Sequence, residues 1–413
     1  VQAVPDGNTA TVTLPAPGAY TVEADGYHQA LHVFFDPIRD FPAVAQGKAH
    51  ILSFGPGVHE IGCMDLESDT AVLIDRDAYL YGSFRAVCAE NIDILGYGVI
   101  DGSREVRTDE NRLLLNDYTA PLPADRENIL RRLKQRHVLD GILRFYRCRH
   151  IRVEGPTLRD AATFAVIPAG CEDVTLENIK TIGMWRYNAD GIDLFNCRDV
   201  RIRNCFLRNF DDCVVIKGIV GWDTADNADI LVEGCVVWCD WGRNLELGAE
   251  TNAPAFRNIL FRNCDCIHGS TAFLDIQHHN RADIGQVTFE DIRVEYTKHQ
   301  LPDVFQNDMD APYPTDTPVR HPLLFCLPIY RSGLFAEDGL NGQIHDITFR
   351  NIRILTDAPE VPVPESAFLG LDAEHTVERI CIAGVTCNGK RLATREELRL
   401  HINEFVRDVT ILP

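Results

Sequence analysis

The chain has 413 residues, of which 45% are hydrophobic and 24% charged, a globular composition. Forty Lys and Arg against 61 Asp and Glu give a net charge of −21, which argues against nucleic acid, anionic membranes and polyanions as partners. No run of 18 apolar residues exists to form a membrane-spanning helix.

Residues 1 to 36 contain TATVTL, YTVEA and ALHVFF, separated by Gly and Pro. Alternation of this kind predicts antiparallel strands of a small N-terminal β-sandwich segment. The opening VQAVPDGNTATVTL has neither the basic start nor the apolar centre of a signal peptide. From residue 37 onward a solenoid is predicted, and ILSFGPGVHEIG and AVLIDRDAYLYGSF read as its first coils. Residues 124 to 139, ADRENILRRLKQRHVL, have helical periodicity and Asp125 near their start, within an insertion at about 104–139.

A repeat then runs through the second half: CEDVTLENI, CRDVRIRNC, NADILVEGC, FRNILFRNC, IGQVTFEDI, IHDITFRNI and VERICIAGV. Each row alternates apolar residues and then has Asn, Gly or Asp, at 178, 204, 234, 263, 291, 351 and 384, followed by an apolar residue or Cys. The first four spacings are 26, 30, 29 and 28 residues. NIDILGYG, ending its strand at Gly96, and HIRVEGP, at Gly155, fit as earlier rows. Alternation marks a strand with one buried face, and Asn, Gly and Asp tolerate the left-handed conformation of a sharp bend. Strand, bend and strand at this period predict an all-β parallel β-helix, with equivalent residues about 4.8 Å apart on successive coils. Cys205, Cys235 and Cys264 then form an interior thiol ladder. Among the fourteen cysteines, CVVWC and CDC lack partners at zinc spacing, so the thiols read as buried and reduced. That favours a cytoplasmic chain, with secretion the alternative. A second insertion, 298–343, interrupts the repeat and carries Tyr313, Arg320, Tyr330 and Arg331.

Downstream of the bends, GIDLF, CVVIK, NLELG and FLDIQ read as further strands. Aligning their apolar residues puts Asp190, Asp212 and Arg243 in one row, and Asp193, Val215, Glu246 and Asp275 in the next outward row. Asp211 precedes Asp212. One Asp beside a turn is ordinary. Three on two adjacent coils suit glycoside hydrolysis, in which one carboxyl group protonates the leaving oxygen and a carboxylate activates water. Neighbouring charge raises the pKa of one member and keeps it an acid. All four tryptophans fall between 185 and 241. Trp238 lies in an apolar strand and reads as core, whereas Trp185, Trp222 and Trp241 flank turns and could stack on sugar rings. His278 and His279 are adjacent and so face opposite sides of a strand, which disfavours a shared metal; a sugar-hydroxyl contact by one of them is the alternative. No metal or cofactor is predicted, and the sequence leaves the oligomeric state open.

NADGID, FDDCVVIKG with its first Asp 21 residues beyond Asp190, and GRNLELG resemble the polygalacturonase family of pectin hydrolases, over roughly residues 50 to 390. That family carries NTDG(I/F)D, DDC and GHG motifs on successive coils of a right-handed parallel β-helix. The resemblance implies Asp211 as general acid, Asp190 and Asp212 as the pair that activates water in an inverting mechanism, and Asn188 and Asp193 as substrate-orienting residues. Lys217 and Gln277 also join the predicted sugar-binding set, with Trp185, Trp241, Arg243, Glu246, Asp275 and His278. Two departures stand out. Arg243 replaces the GHG histidine, and Asp275-Ile276-Gln277 replaces the RIK motif that binds the galacturonate carboxylate. Losing those cations removes a uronate's partner and adds repulsion. Dextranases of the wider clan share the three aspartates, lack the histidine and often carry an N-terminal β-sandwich. The expectation is therefore an inverting glycoside hydrolase acting on a neutral, α-linked oligo- or polysaccharide. A uronate-type hydrolase, a polysaccharide lyase and a non-catalytic carbohydrate-binding β-helix remain as alternatives.

Overall fold

The computed structural model describes residues 3–23, 30–105, 126, 127, 129, 141–220, 225–297, 321–333, 338–358 and 360–413. Most of the two predicted insertions lies outside these residues, as do Trp222, Tyr313 and Arg320; within 124–139, residues 126, 127 and 129 are helical.

From His50 the chain winds into a right-handed parallel β-helix. Each coil contributes three strands, for example Glu172–Glu177, Lys180–Ile182 and Ile192–Phe195, followed by Arg198–Arg203, Phe206–Asn209 and Val214–Gly218. The first strands of the coils form a 12-stranded sheet running from His50–Phe54 to Val406–Leu412. Register is set by stacking like on like. Val174, Val200, Ile230, Ile259, Val287, Ile347 and Ile380 lie on successive strands, all buried. β-Branched side chains fit a pleated surface, and a one-residue slip would turn the whole column to solvent. Phe261, Phe289 and Phe349 stack nearly parallel with ring centres 4.8 and 5.2 Å apart. The interior is thus one continuous apolar column.

The predicted bends are present. Asn178, Asn204, Asn263, Asp291 and Asn351 have φ of 52, 54, 54, 55 and 55°, and Gly234 and Gly384 have 67 and 68°. Glycine at 234 has a second reason: a Cβ there would meet Asn204 Oδ1 at 2.6 Å. A second left-handed column was not anticipated. Asp173, Asp199, Asp229, Asn258, Gln286 and Asp346 have φ between 52 and 58°. They lie just inside the first strands, where the pairing skips one residue per coil, and Asn258 Nδ2 donates to Asp229 Oδ1 at 2.6 Å.

The expected thiol ladder forms, since Phe206, Val236 and Asp265 are paired neighbours and Cys205, Cys235 and Cys264 precede them, buried. Cys148, Cys171 and Cys197 make a second ladder, and all fourteen cysteines are free thiols.

The N-terminal residues form two antiparallel hairpins, Ala3–Asp6 with Thr9–Val12 and Gly18–Val22 with Leu31–Phe35. The second docks on the outside of the coils. The rings of His32 and Phe34 lie 4.8 and 5.2 Å from Phe206, Lys180 Nζ donates to Asp36 at 2.5 Å, and His268 Nε2 meets Glu23 at 2.8 Å. Trp238 is buried, as its apolar strand predicts. Its side chain points away from the coil interior, under Arg208 and beside His32 and His268, with Nε1 donating to Asp240.

Candidate active site

The carboxylates sit where the loop of each coil enters its third strand. Ladder bonds stack these entries: Gly191 N donates to Asp212 O at 2.8 Å, and Cys213 N to Arg243 O at 2.9 Å. Asp190, Asp212 and Arg243 therefore share one row, as their spacing predicts. The next row holds Asp193, Val215, Glu246 and Asp275, paired strand to strand. Asp211 is tied to the preceding coil by its backbone N–H to Ala189 O, at 3.4 Å. Asn209 secures the same loop from below: its Oδ1 accepts from Thr181 Oγ1 at 2.8 Å and its Nδ2 donates to Ala189 O at 3.3 Å.

Gly242 stands against both members of the Asp pair. A Cβ there would lie 2.4 Å from Asp211 Oδ1 and 2.4 Å from Asp212 Oδ1, so the two carboxylates converge on one backbone surface. Asp211 Oδ1 accepts from Asp212 N at 3.1 Å, and Asp212 Oδ1 accepts from Arg243 N at 2.8 Å.

These groups face away from the coil interior, yet Asp190, Asp193, Asp211, Asp212, Glu246 and Asp275 are all buried among the surrounding loops. The solvated acidic face suggested by the strand pattern is instead a desolvated one. Only two cations lie within it among the described residues, and both are engaged. Lys217 Nζ donates to Asp190 Oδ2 at 2.9 Å and Asp193 Oδ1 at 2.7 Å, with the Phe164 ring 4.4 Å away. Arg243 Nε donates to Asp275 Oδ2 at 3.1 Å and lies 3.7 Å from Glu246 Oε1. Its Nη1 also pairs with Asp212 Oδ1 at 4.0 Å, a longer contact than the one to Asp275. Asp275 is directly alongside on the next strand, while Asp212 is held from the Arg243 backbone.

Burial dominates the electrostatics. It pushes Asp211 well above the usual carboxylate range, reinforced by the charges of Asp190 and Asp212. Asp190 is pushed up to about 6 by burial, with Lys217 pulling the other way. Asp275 is pushed up to about 6 by burial, against the pull of Arg243. Burial also raises Asp193 and Glu246 well above their ordinary values. Burial works against the Lys217 ammonium, but the field of Asp190, Asp193, Glu250 and Asp212 outweighs it and holds the pKa well above normal.

Trp241 and Trp185 are both half-buried. Trp241 stacks on Phe210 at 5.9 Å and meets Tyr187 at 5.4 Å; the Arg186 guanidinium lies 5.5 Å from Trp185. Asn188 supplies a left-handed turn, φ 58°, two residues before Asp190. Gln277 is half-buried on the outward side of its strand, beyond Asp275. His278 is a correction. Strand alternation turns it inward, where Nδ1 bonds Thr251 Oγ1 at 2.7 Å and burial drives its pKa to about 3. His279 faces the carboxylate side instead, within the field of Arg243 and stacked on Tyr330 at 4.4 Å. Sequence reasoning also missed Gly242, Asn209 and Phe164. Gly242 and Asn209 adjoin motif residues, in WGRN and NFDDC, whereas Phe164 is brought to Lys217 only by the fold.

The model of glycosyl hydrolases family 28 matches residues 83–318, more than half of the chain. The chain belongs to this family. A probable polygalacturonase of Vitis vinifera is 24% identical over 143 residues, which is 34% of this chain but only 24% of that relative. Among solved structures, Dex49A from Penicillium minioluteum aligns over 99% of this chain and 71% of its own, with a TM-score of 0.62 and 13% identity. A hyperthermoactive exopolygalacturonase from Thermotoga maritima aligns over 88% of this chain and 84% of its own, with a TM-score of 0.54 and 18% identity. At such identities the two structures establish the likeness of fold, and the Dex49A alignment extends over nearly the whole chain.

Proposed function

We propose that this family 28 chain is an inverting glycoside hydrolase acting on a neutral, α-linked oligo- or polysaccharide. The observation that carries the proposal is the convergence of Asp190, Asp211 and Asp212 on one desolvated face with Asp211 pushed toward its protonated form. A general acid must hold its proton until the glycosidic oxygen takes it, and burial beside two negative charges favours that state. Asp190 and Asp212, stacked on adjacent coils, are the pair assigned to orient and deprotonate the attacking water. Asn188, Asp193, Gln277, Trp185 and Trp241 are assigned to holding the sugar.

The substrate class rests on charge. Lys217 already serves two carboxylates and Arg243 three. A uronate would enter a field dominated by Asp and Glu in which the two cations of the site among the described residues are already paired, whereas a neutral sugar offers hydroxyl donors to carboxylate acceptors. The α linkage follows from the family resemblance. A second reading, hydrolysis of uronic-acid-containing glycans, is favoured by the Vitis vinifera relative. A panel of neutral and acidic oligosaccharides, with product anomers followed by NMR, tests both. Turnover of a neutral glycan with inversion is expected. Turnover of oligogalacturonides alone would overturn the substrate class, and full activity in Asp211→Asn would overturn the assignment of the acid.

A further inference from the structure

Glu246 has no role in that scheme, yet it is as enclosed as any carboxylate of the site. Its exposure is 0%, and neither carboxylate oxygen receives a hydrogen bond from a donor. The groups around it explain why. On the preceding coil its strand neighbour is Val215, which donates nothing, and Asp212 approaches the same Arg243 guanidinium, 4.0 Å from it against 3.7 Å for Glu246. On the following coil stands Asp275, itself flanked by the Cys326 thiol. On its own strand, Arg243 lies 3.7 Å away and spends its Nε on Asp275. Two buried carboxyl groups drawn to one guanidinium repel each other, unless one of them carries a proton. With a proton between them, the contact becomes a short, charge-assisted hydrogen bond.

We propose that Glu246 is a positioning residue that carries this proton and donates it to the Asp212 carboxylate. The proton stays on Glu246 throughout turnover; no bond to substrate forms or breaks there. Asp212 then receives donors on two sides, from Glu246 and from Arg243 N, and its remaining lone pairs are directed at the water. The charge count agrees. Four carboxyl groups, Asp211, Asp212, Glu246 and Asp275, surround the single Arg243 guanidinium, and placing protons on Asp211 and Glu246 leaves two negative charges against one positive. Burial raising the Glu246 pKa acts in the same direction.

This inference rests on Asp212 serving as a base, and the experiment separates the two. Infrared difference spectra of the full chain at pH 7 read the carbonyl stretch of protonated carboxylic acids directly, without substrate. Glu246→Gln should lose one such band relative to the wild type. Asp212→Asn should lose the same band, because an amide at 212 donates to Glu246 and lets it ionise. Unchanged acid bands in both variants would overturn the proposal. Where a glycan is turned over, Glu246→Gln keeps an N–H donor toward Asp212 and should retain kcat within about threefold, with its alkaline limb moved to higher pH. Glu246→Ala should lose more than tenfold in kcat with KM little changed. Equal losses in Gln and Ala variants, with no movement of the pH profile, would reduce Glu246 to packing and also overturn it. If no glycan is turned over while the infrared bands behave as stated, the proton assignment stands and the function assigned to Asp212 fails.

Discussion

Gly242 offers the sharpest test of the site's geometry because it contributes no functional group. A methyl group there would sit 2.4 Å from Asp211 Oδ1, 2.4 Å from Asp212 Oδ1 and 2.7 Å from Asp212 N. Ordinary van der Waals contact begins at 3.4 Å, so both carboxylates must retreat by about 1 Å. One of the three contacts is to backbone, so rotating a side chain cannot relieve all of it. Misplacing reacting groups by about 1 Å costs on the order of 100-fold in rate. The overpacking itself costs about 1–3 kcal/mol of stability, which a large solenoid core tolerates. Gly242→Ala should therefore fold, melt a few degrees lower, and lose about two orders of magnitude in kcat. Gly55→Ala is the matched control, since a Cβ at Gly55 meets nothing within 4 Å. The assay is kcat and KM on the glycan found by the oligosaccharide panel, with unfolding followed by calorimetry. A Gly242→Ala chain with wild-type kcat would refute the claim that Asp211 and Asp212 act from the positions described.

Lys217→Met should destabilise by about 3–5 kcal/mol, because it leaves Asp190 and Asp193 buried beside each other without their shared cation. Denaturant titration of this variant measures that cost, and a loss below about 1 kcal/mol would mean the pair simply takes up a proton on losing its partner. The N-terminal hairpin should detach in acid. Arg208 donates to His32 Nε2 at 3.0 Å, which requires a neutral ring, and burial with the Arg208 charge lowers the His32 pKa to about 4. A depressed histidine stabilises fully above its unfolded value near 6.5, and that contribution is lost as pH falls toward 4. Limited proteolysis of the hairpin should accelerate between pH 6.5 and 4, with Glu23, whose pKa is held below its ordinary 4.5, adding its loss only under that value. His32→Phe, which keeps the contact with Phe206, should flatten that dependence; an unchanged sensitivity between pH 6.5 and 4 would refute the assignment to His32.

The fold was legible because a solenoid writes its core into the sequence as columns. Asn178, Asn204 and Asn263 were readable as bends since few residues tolerate φ near 54°. The second left-handed column was equally present, as Asp173, Asp199, Asp229 and Asn258 before each Val or Ile. It was read as ordinary strand because Asp and Asn there also satisfy the polar half of an alternating pattern. The site divides the same way. Asp190, Asp212 and Arg243, and Asp193, Glu246 and Asp275, follow from register alone, since each row inherits its alignment from the ladder. Burial does not follow from register. Strand alternation says which way a side chain points, but whether that direction leads to water depends on loops from other coils. Hence Asp193 and Glu246 pointed outward as expected and were nevertheless enclosed. Trp238 pointed outward and was covered by a hairpin more than 200 residues earlier in sequence. The consequence is chemical. An outward carboxylate in water is a solubilising charge, whereas the same carboxylate sealed beside another must find a cation or a proton. Lys217 supplies the cation for Asp190 and Asp193; Asp212, Glu246 and Asp275 share the one guanidinium of Arg243, and a proton on Glu246 offsets the charge that this single cation leaves uncompensated.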